Sequence, residues 1–220
     1  MSSLLYSRQS CHKSLVRSKP WRNQLRLPSE QLGFIFSMEL IRLEEKHLPE
    51  FLAAIKLVMK DQDLMHMDLD KLYAEAVADP ARFIREQDDP QGLGADIEMP
   101  DGTFVKRLPS IVRHMWDGEI CGRIGFRWSP GTNDLPPTCL GHIGYWILPH
   151  KRGKGYATKA LSLMLDEARL QKLDYVELTT DPDNVASQAV IKANGGVFIE
   201  QKPIPPQHGT GDLTYWRIKL

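Results

Sequence analysis

The stretch HKRGKGYAT, residues 150–158, sets two glycines around a lysine, adds two more cations and then runs into small, helix-compatible residues. Gly153 and Gly155 allow backbone to come close to something bulky, and Lys151, Arg152 and Lys154 suggest that it is anionic. The preceding run HIGYWIL reads as an apolar strand. The following residues Ala157, Ala160, Leu161, Met164, Leu165 and Ala168 recur at helical spacing, which predicts an amphipathic helix through about Gln171. The loop therefore stands at the carboxyl end of a strand and the amino end of a helix. The first helical amides there lack intrahelical partners and the helix dipole is positive, so a pyrophosphate suits the place.

Outward from this loop the punctuation is regular. Downstream come the strand YVELTT, a helix from about Val185 to Asn194, the strand VFIE and a last strand LTYWRIKL. A strand, a crossover helix and a further strand imply a parallel unit with HIGYWIL beside YVELTT. Upstream, MELIRL reads as a short strand from Met38. Leu52, Ile55, Leu57 and Val58 mark a first helix, and a second helical stretch runs roughly from Leu69 to Phe83. EQDDPQGLGADIEMPDG reads as a polar surface loop. IVRHMWD and EICGRIGFRW, hinged at Asp117-Gly118, read as a β-hairpin.

A Walker loop needs GxxxxGK with Ser or Thr, which is absent around Lys154, and the GxGxxG fingerprint meets Thr158 where its third glycine belongs. The run Arg152-Gly153-Lys154-Gly155-Tyr156-Ala157 instead resembles the R/Q-x-x-G-x-G/A signature of the GNAT acyltransferase superfamily. Asn184, Ser187 and Gly195-Gly196 in DNVASQAVIKANGGVF resemble that family's next signature. As plain structure, Asn184 is also a good helix N-cap and Gly195 a good residue just past a helix end. The likeness covers 38–220 and is strongest from Gly141 to Ile199, where GHIGYWILP followed by NGG resembles a bacterial-type subgroup of acetyltransferases.

The resemblance implies an α/β fold of the α+β kind: a central, mostly antiparallel mixed sheet with a splayed parallel strand pair, flanked by helices. It implies acetyl-CoA as cosubstrate and an N-acetyltransferase in which a primary amine attacks the thioester directly in a ternary complex. The pantetheine arm would pair with backbone of Trp146, Ile147 and Leu148, and the pyrophosphate with Arg152, Gly153, Lys154, Gly155, Tyr156, Ala157 and Thr158. Asn184 and Ser187 complete the cofactor set. The family's tyrosine acid falls on Ile191, which has no proton to give, so either the coenzyme A thiolate leaves unaided or Tyr145, Tyr156 or a water stands in for it. His142 is the candidate base, with a structural role as its rival; Asp181 and Asp183 also lie near the cleft, where they read equally as a turn and cap, and Arg127 and His114 are candidate acceptor-side residues on an exposed hairpin. Without the usual acid, the alternative is a catalytically silent fold that binds acyl-CoA as a sensor or scaffold.

Bulk properties restrict the setting. The 220 residues hold 28 basic and 28 acidic side chains, so no global field favours nucleic acid or an anionic membrane. Three cysteines without a CxxC pair, and seven histidines without HExxH, point to reduced thiols and no metal site. No apolar run approaches the roughly 18 residues of a membrane span, and a cytoplasmic setting follows. Between Met1 and Ser29 there are six basic residues, seven serines and no acid. That segment reads as a transit peptide, a basic arm or a nonfunctional extension, and residues 1–37 are expected to be a disordered extension before a domain at 38–220. The acceptor is a small amine or a protein amino group. A cationic amine would suit Asp61, Asp63, Asp68, Asp70, Glu86, Asp88 and Asp89, which read equally as a solvated face. A homodimer is the assembly left open.

Overall fold

The chain is described from a computed structural model, which covers residues 38–59, 69–99, 102–208 and 210–220. The expected extension 1–37 and Asp61, Asp63 and Asp68 lie outside these residues. All described residues belong to one compact unit, Phe36–Leu220.

The first sheet is built on the expected hairpin. Strands β5 (Ser110–Trp116) and β6 (Ile120–Arg127) pair antiparallel around Asp117-Gly118, where Gly118 takes φ 107° and the register slips between Met115 and Trp116. β1 (Glu39–Ile41) and β2 (Asp88–Asp89) both pair with β5, and β7 (Ile143–Ile147) pairs with β6. The segment expected as a loop thus supplies β2 and β3 (Ile97–Glu98), and β3 pairs with β4 (Phe104–Val105) just beyond it. A second sheet runs β8 (Tyr175–Thr180), β10 (Asp212–Lys219), β9 (Val197–Pro203), again antiparallel throughout.

Helices cover the two faces of the first sheet. On one face α4 (Tyr156–Leu170) buries Ala160, Leu161, Met164, Leu165 and Ala168 against Met115, Ile124, Phe126 and Ile143. This core continues to Val176, Leu178, Trp216 and Ile218 of the second sheet and to Ile191 of α5 (Val185–Ala193). The other face receives α1 (Leu48–Val58), α2 (Leu69–Ala78) and α3 (Pro80–Arg85), with Phe51, Ile55, Val58 and Phe83 packed toward Ile120, Trp146 and Leu148. Phe51, Ile55 and Val58 are wholly buried, worth about 1.5–3 kcal/mol each. Leu57, counted in the expected stripe, is 56% exposed.

The single helix expected over 69–83 is two. Pro80 cannot donate into the α2 ladder, and the Asp79 carboxylate accepts Arg82 N–H at 3.0 Å, so a new helix starts there. Of the described acids expected as a face for a cationic amine, Asp70 is exposed on α2 and the other three are engaged within the chain. Asp88 pairs with Arg42 and Arg113, Glu86 with Arg82, and Asp89 accepts the amides of Leu93 and Gly94.

The two sheets meet at β7 and β8. No ladder joins these strands among the described residues. They are held at one point, where His142 N–H donates to Glu177 O at 2.7 Å and Glu177 N–H donates to His142 Nδ1 at 2.9 Å. Beyond His142 the strands part, so the expected splayed pair begins at its first residue.

Candidate active site

The parted strands leave backbone unpaired. Leu148 N–H donates to Cys121 O at 2.8 Å, and β6 pairs with β7 in register, so alternate residues of β7 turn their amides and carbonyls to β6. By that alternation the groups of Trp146 and the amide of Leu148 are committed to β6, and the Leu148 carbonyl accepts Lys151 N–H at 2.8 Å, while the groups of Tyr145 and Ile147 face the gap. This corrects the expectation that all of Trp146, Ile147 and Leu148 present backbone there; the Trp146 side chain lies in the α1 core. The Ile147 carbonyl is approached by Arg152 Nε at 3.4 Å.

A 3-10 turn, Pro149–Lys151, carries the chain from β7 to α4 and turns Lys151 inward. Its ammonium lies 2.8 Å and 2.9 Å from the two Asp117 oxygens and 2.5 Å from Glu119 Oε1, and the Tyr156 hydroxyl donates to Asp117 Oδ2 at 2.6 Å. Burial pushes the Asp117 carboxyl up, but the bonds from Lys151 and Tyr156 outweigh it and hold the pKa at about 2. Lys151 is therefore a structural cation, not one of those facing an anion. Nothing in its local sequence distinguishes it from Lys154, because its partner is 34 residues away.

The rest of the loop is arranged as the sequence suggests. Gly153 and Gly155 have φ 75° and 76°, a backbone conformation that side chains with a Cβ rarely adopt, and open space surrounds both. Gly155 caps α4, whose first bond is Lys159 N–H to Gly155 O at 3.0 Å. Among the described residues no backbone acceptor serves the amides of Gly153, Lys154, Gly155, Tyr156, Ala157 or Thr158. Six consecutive donors at a helix N-terminus form a cradle for an anion of several oxygens. Lys154 is exposed, 5.9 Å from the Tyr156 ring.

α5 presents its N-terminus to the same region. Asn184 Oδ1 accepts Ser187 N–H at 3.0 Å, the expected cap, and Ser187 O accepts the Tyr145 hydroxyl at 3.4 Å. Burial raises the Tyr145 phenol to about 12, so it keeps its proton at neutral pH. Ile191 is 1% exposed in the core, which explains why an aliphatic side chain stands there. Asp181 and Asp183 are exposed in the turn before α5.

His142 is fully buried. Its Nδ1 lone pair accepts Glu177 N–H, which puts the ring hydrogen of the neutral form on Nε2, a buried atom without a partner. Burial, with Arg127 acting in the same sense against Glu177, lowers its pKa to about 4. Neither nitrogen is free to accept a proton, so the geometry gives His142 the joining of β7 to β8. His114, also fully buried and edge-on to Phe51 at 5.1 Å, is held at about 3 by burial and by Arg123.

A surface cavity of about 530 Å³, lined by Gln91, Arg107, Pro109, Pro130 and Thr138 among others, includes none of these residues. Among the described residues no group of His, Cys, Asp and Glu could hold a metal ion, and no helix is long and apolar enough to cross a membrane.

Residues 38–197 match the family model of the acetyltransferase (GNAT) domain. A search of curated proteins gave no match. The fold is similar to that of Mycobacterium smegmatis RimJ in complex with a coenzyme A disulfide, at TM-score 0.56 and 16% identity over 83% of this chain and 81% of that one. It is also similar to the microcin C7 self-immunity acetyltransferase MccE in complex with acetyl-CoA and AMP (TM-score 0.55, 12% identity, 83% and 92%). A third is RimL, a ribosomal L7/L12 alpha-N-protein acetyltransferase in complex with coenzyme A (0.52, 15%, 83% and 94%). With a family match over most of its length, the chain is an acyltransferase and belongs to the GNAT acetyltransferase family.

Proposed function

We propose that the protein transfers an acetyl group from acetyl-CoA to a primary amine by direct attack in a ternary complex. The observation that carries this reading is the run of six unserved amides from Gly153 to Thr158 beside the parted strands. The pyrophosphate of the cosubstrate takes those amides, and the pantetheine arm runs along the gap-facing backbone of Tyr145 and Ile147. The acceptor nitrogen attacks the thioester carbonyl as a neutral amine, and the Ile147 amide stabilises the oxyanion that develops. The intermediate then loses the C–S bond. Tyr145, still protonated at neutral pH, hands its proton to the departing thiolate and regains one from the nitrogen through solvent. His142 takes no part in proton transfer.

Calorimetry with acetyl-CoA, and release of coenzyme A with a panel of amines, test the reading. Binding of acetyl-CoA with release that depends on an amine is expected. Binding without release on any amine favours the silent sensor, and no binding of acetyl-CoA removes the proposal. Tyr145→Phe is expected to lower kcat about 10²-fold with little change in acetyl-CoA affinity.

A further inference from the structure

On the sheet face turned to α1, β6 carries Arg123, Gly125 and Arg127 at alternate positions. The register sets Arg123 between His114 and Trp146, and Gly125 against Gly144 of β7. Two facing glycines leave a strip of bare backbone between two arginines. Arg127 leans over that strip: a Cβ added at Gly144 would stand 3.2 Å from its Nη2.

These arginines differ from the other cations around them. Arg113 is paired with Asp88 at 2.6 Å, Lys151 with Asp117, and Arg217 with Glu177 at 2.6 Å. Arg123 and Arg127 have no carboxylate partner among the described residues. Arg127 has only Cys139 Sγ at 4.0 Å, and the buried Nε of Arg123 has no acceptor. The indole Nε1 of Trp146 beside it is also buried without a partner. Burial first, then the like charge of Arg127, lowers Arg123 to about 10. Such a pair is costly until an anion lies between its members.

The strip adjoins the gap, since Gly144 and Trp146 flank Tyr145, while the amide cradle belongs to α4 on the opposite face. We propose that Arg123 and Arg127 bind an oxyanion on the acceptor, a carboxylate or a phosphate, over Gly125 and Gly144, and so select anionic amines. The inference rests on the acyl-transfer reading.

The test uses the full chain at saturating acetyl-CoA with two acceptor pairs, glycine against glycinamide and phosphoethanolamine against ethanolamine. The first pair reads carboxylate and the second phosphate. The anionic member of at least one pair is expected to show the lower KM. Arg123→Gln and Arg127→Gln should each raise that KM about tenfold or more and leave the neutral member unaffected. Equal KM within both pairs overturns the inference while acyl transfer stands; failure of acetyl-CoA to bind overturns the transfer reading instead. A second measurement needs no turnover and decides if neither pair is acetylated. The Arg123 Nε–H resonance, assigned by its loss in Arg123→Lys, should move on titration with inorganic phosphate, and the movement should shrink in Arg127→Gln. A resonance that stays in place throughout overturns the site.

Discussion

Lys151 Nζ lies 2.8 Å from Asp117 Oδ1, and this contact ties the turn before the amide cradle to the tip of the β5–β6 hairpin. Both side chains are nearly out of solvent, at 6% and 9% exposure. Removing one partner leaves the other charged and buried, so Asp117→Ala should cost about 3 kcal/mol or more of stability and weaken acetyl-CoA binding. Denaturant unfolding and calorimetry read the two effects; unchanged acetyl-CoA affinity would show that the contact does not position the cradle.

The same carboxylate makes stability depend on acid. Its folded pKa, about 2, lies below the ordinary 3.8, so its contribution is complete above pH 3.8 and is lost as pH falls through about 2. About 2 kcal/mol should disappear across that window in the native chain and not in Asp117→Asn.

In the loop from Gly153 to Thr158, conformation is expected to outweigh charge. Gly155→Val forces a β-branched side chain into φ 76° where open space stands ready for a ligand, so acetyl-CoA affinity should fall at least about tenfold. Lys154→Ala removes a screened surface charge and should do much less. If calorimetry reverses that order, side-chain charge holds the anion.

His142 and His114 are buried with pKa values of about 4 and about 3, below the ordinary 6.5. The unfolded chain binds protons at these positions from pH 6.5 downward and the folded chain does not, so stability should fall as pH drops from 6.5 toward 4. His142→Ala should lower the melting temperature, since Glu177 N–H loses its acceptor, and leave the pH profile of turnover unchanged in shape. A lost acidic limb in that profile would restore His142 as the base.

A chain starting at Met38, whose side chain is 2% exposed in the core, should fold and bind acetyl-CoA as the full chain does. Insoluble expression of the shortened chain would make residues 1–37 part of the domain.

Local chemistry made much of this protein legible in its sequence. The glycines at 153 and 155, the Asn184 cap and the 3.6-residue stripe of α4 act within a turn or two of chain, where spacing and residue type suffice to state the conformation. The Asp79-Pro80 break was present in the same alphabet, although the periodicity on either side of it suggested one helix. β2, β3 and β4 were not legible, because strands of two residues exist only through the partner they pair with.

Tertiary structure alone separated Lys151 from Lys154 and turned His142 from a candidate base into the clasp between two sheets. It also buried Arg123 with no carboxylate partner among the described residues and set Gly144 of β7 against Gly125. In each case the side chain's protonation and availability depend on burial and on partners contributed by another strand. Those depend on register and layer packing, which residue type and spacing do not encode.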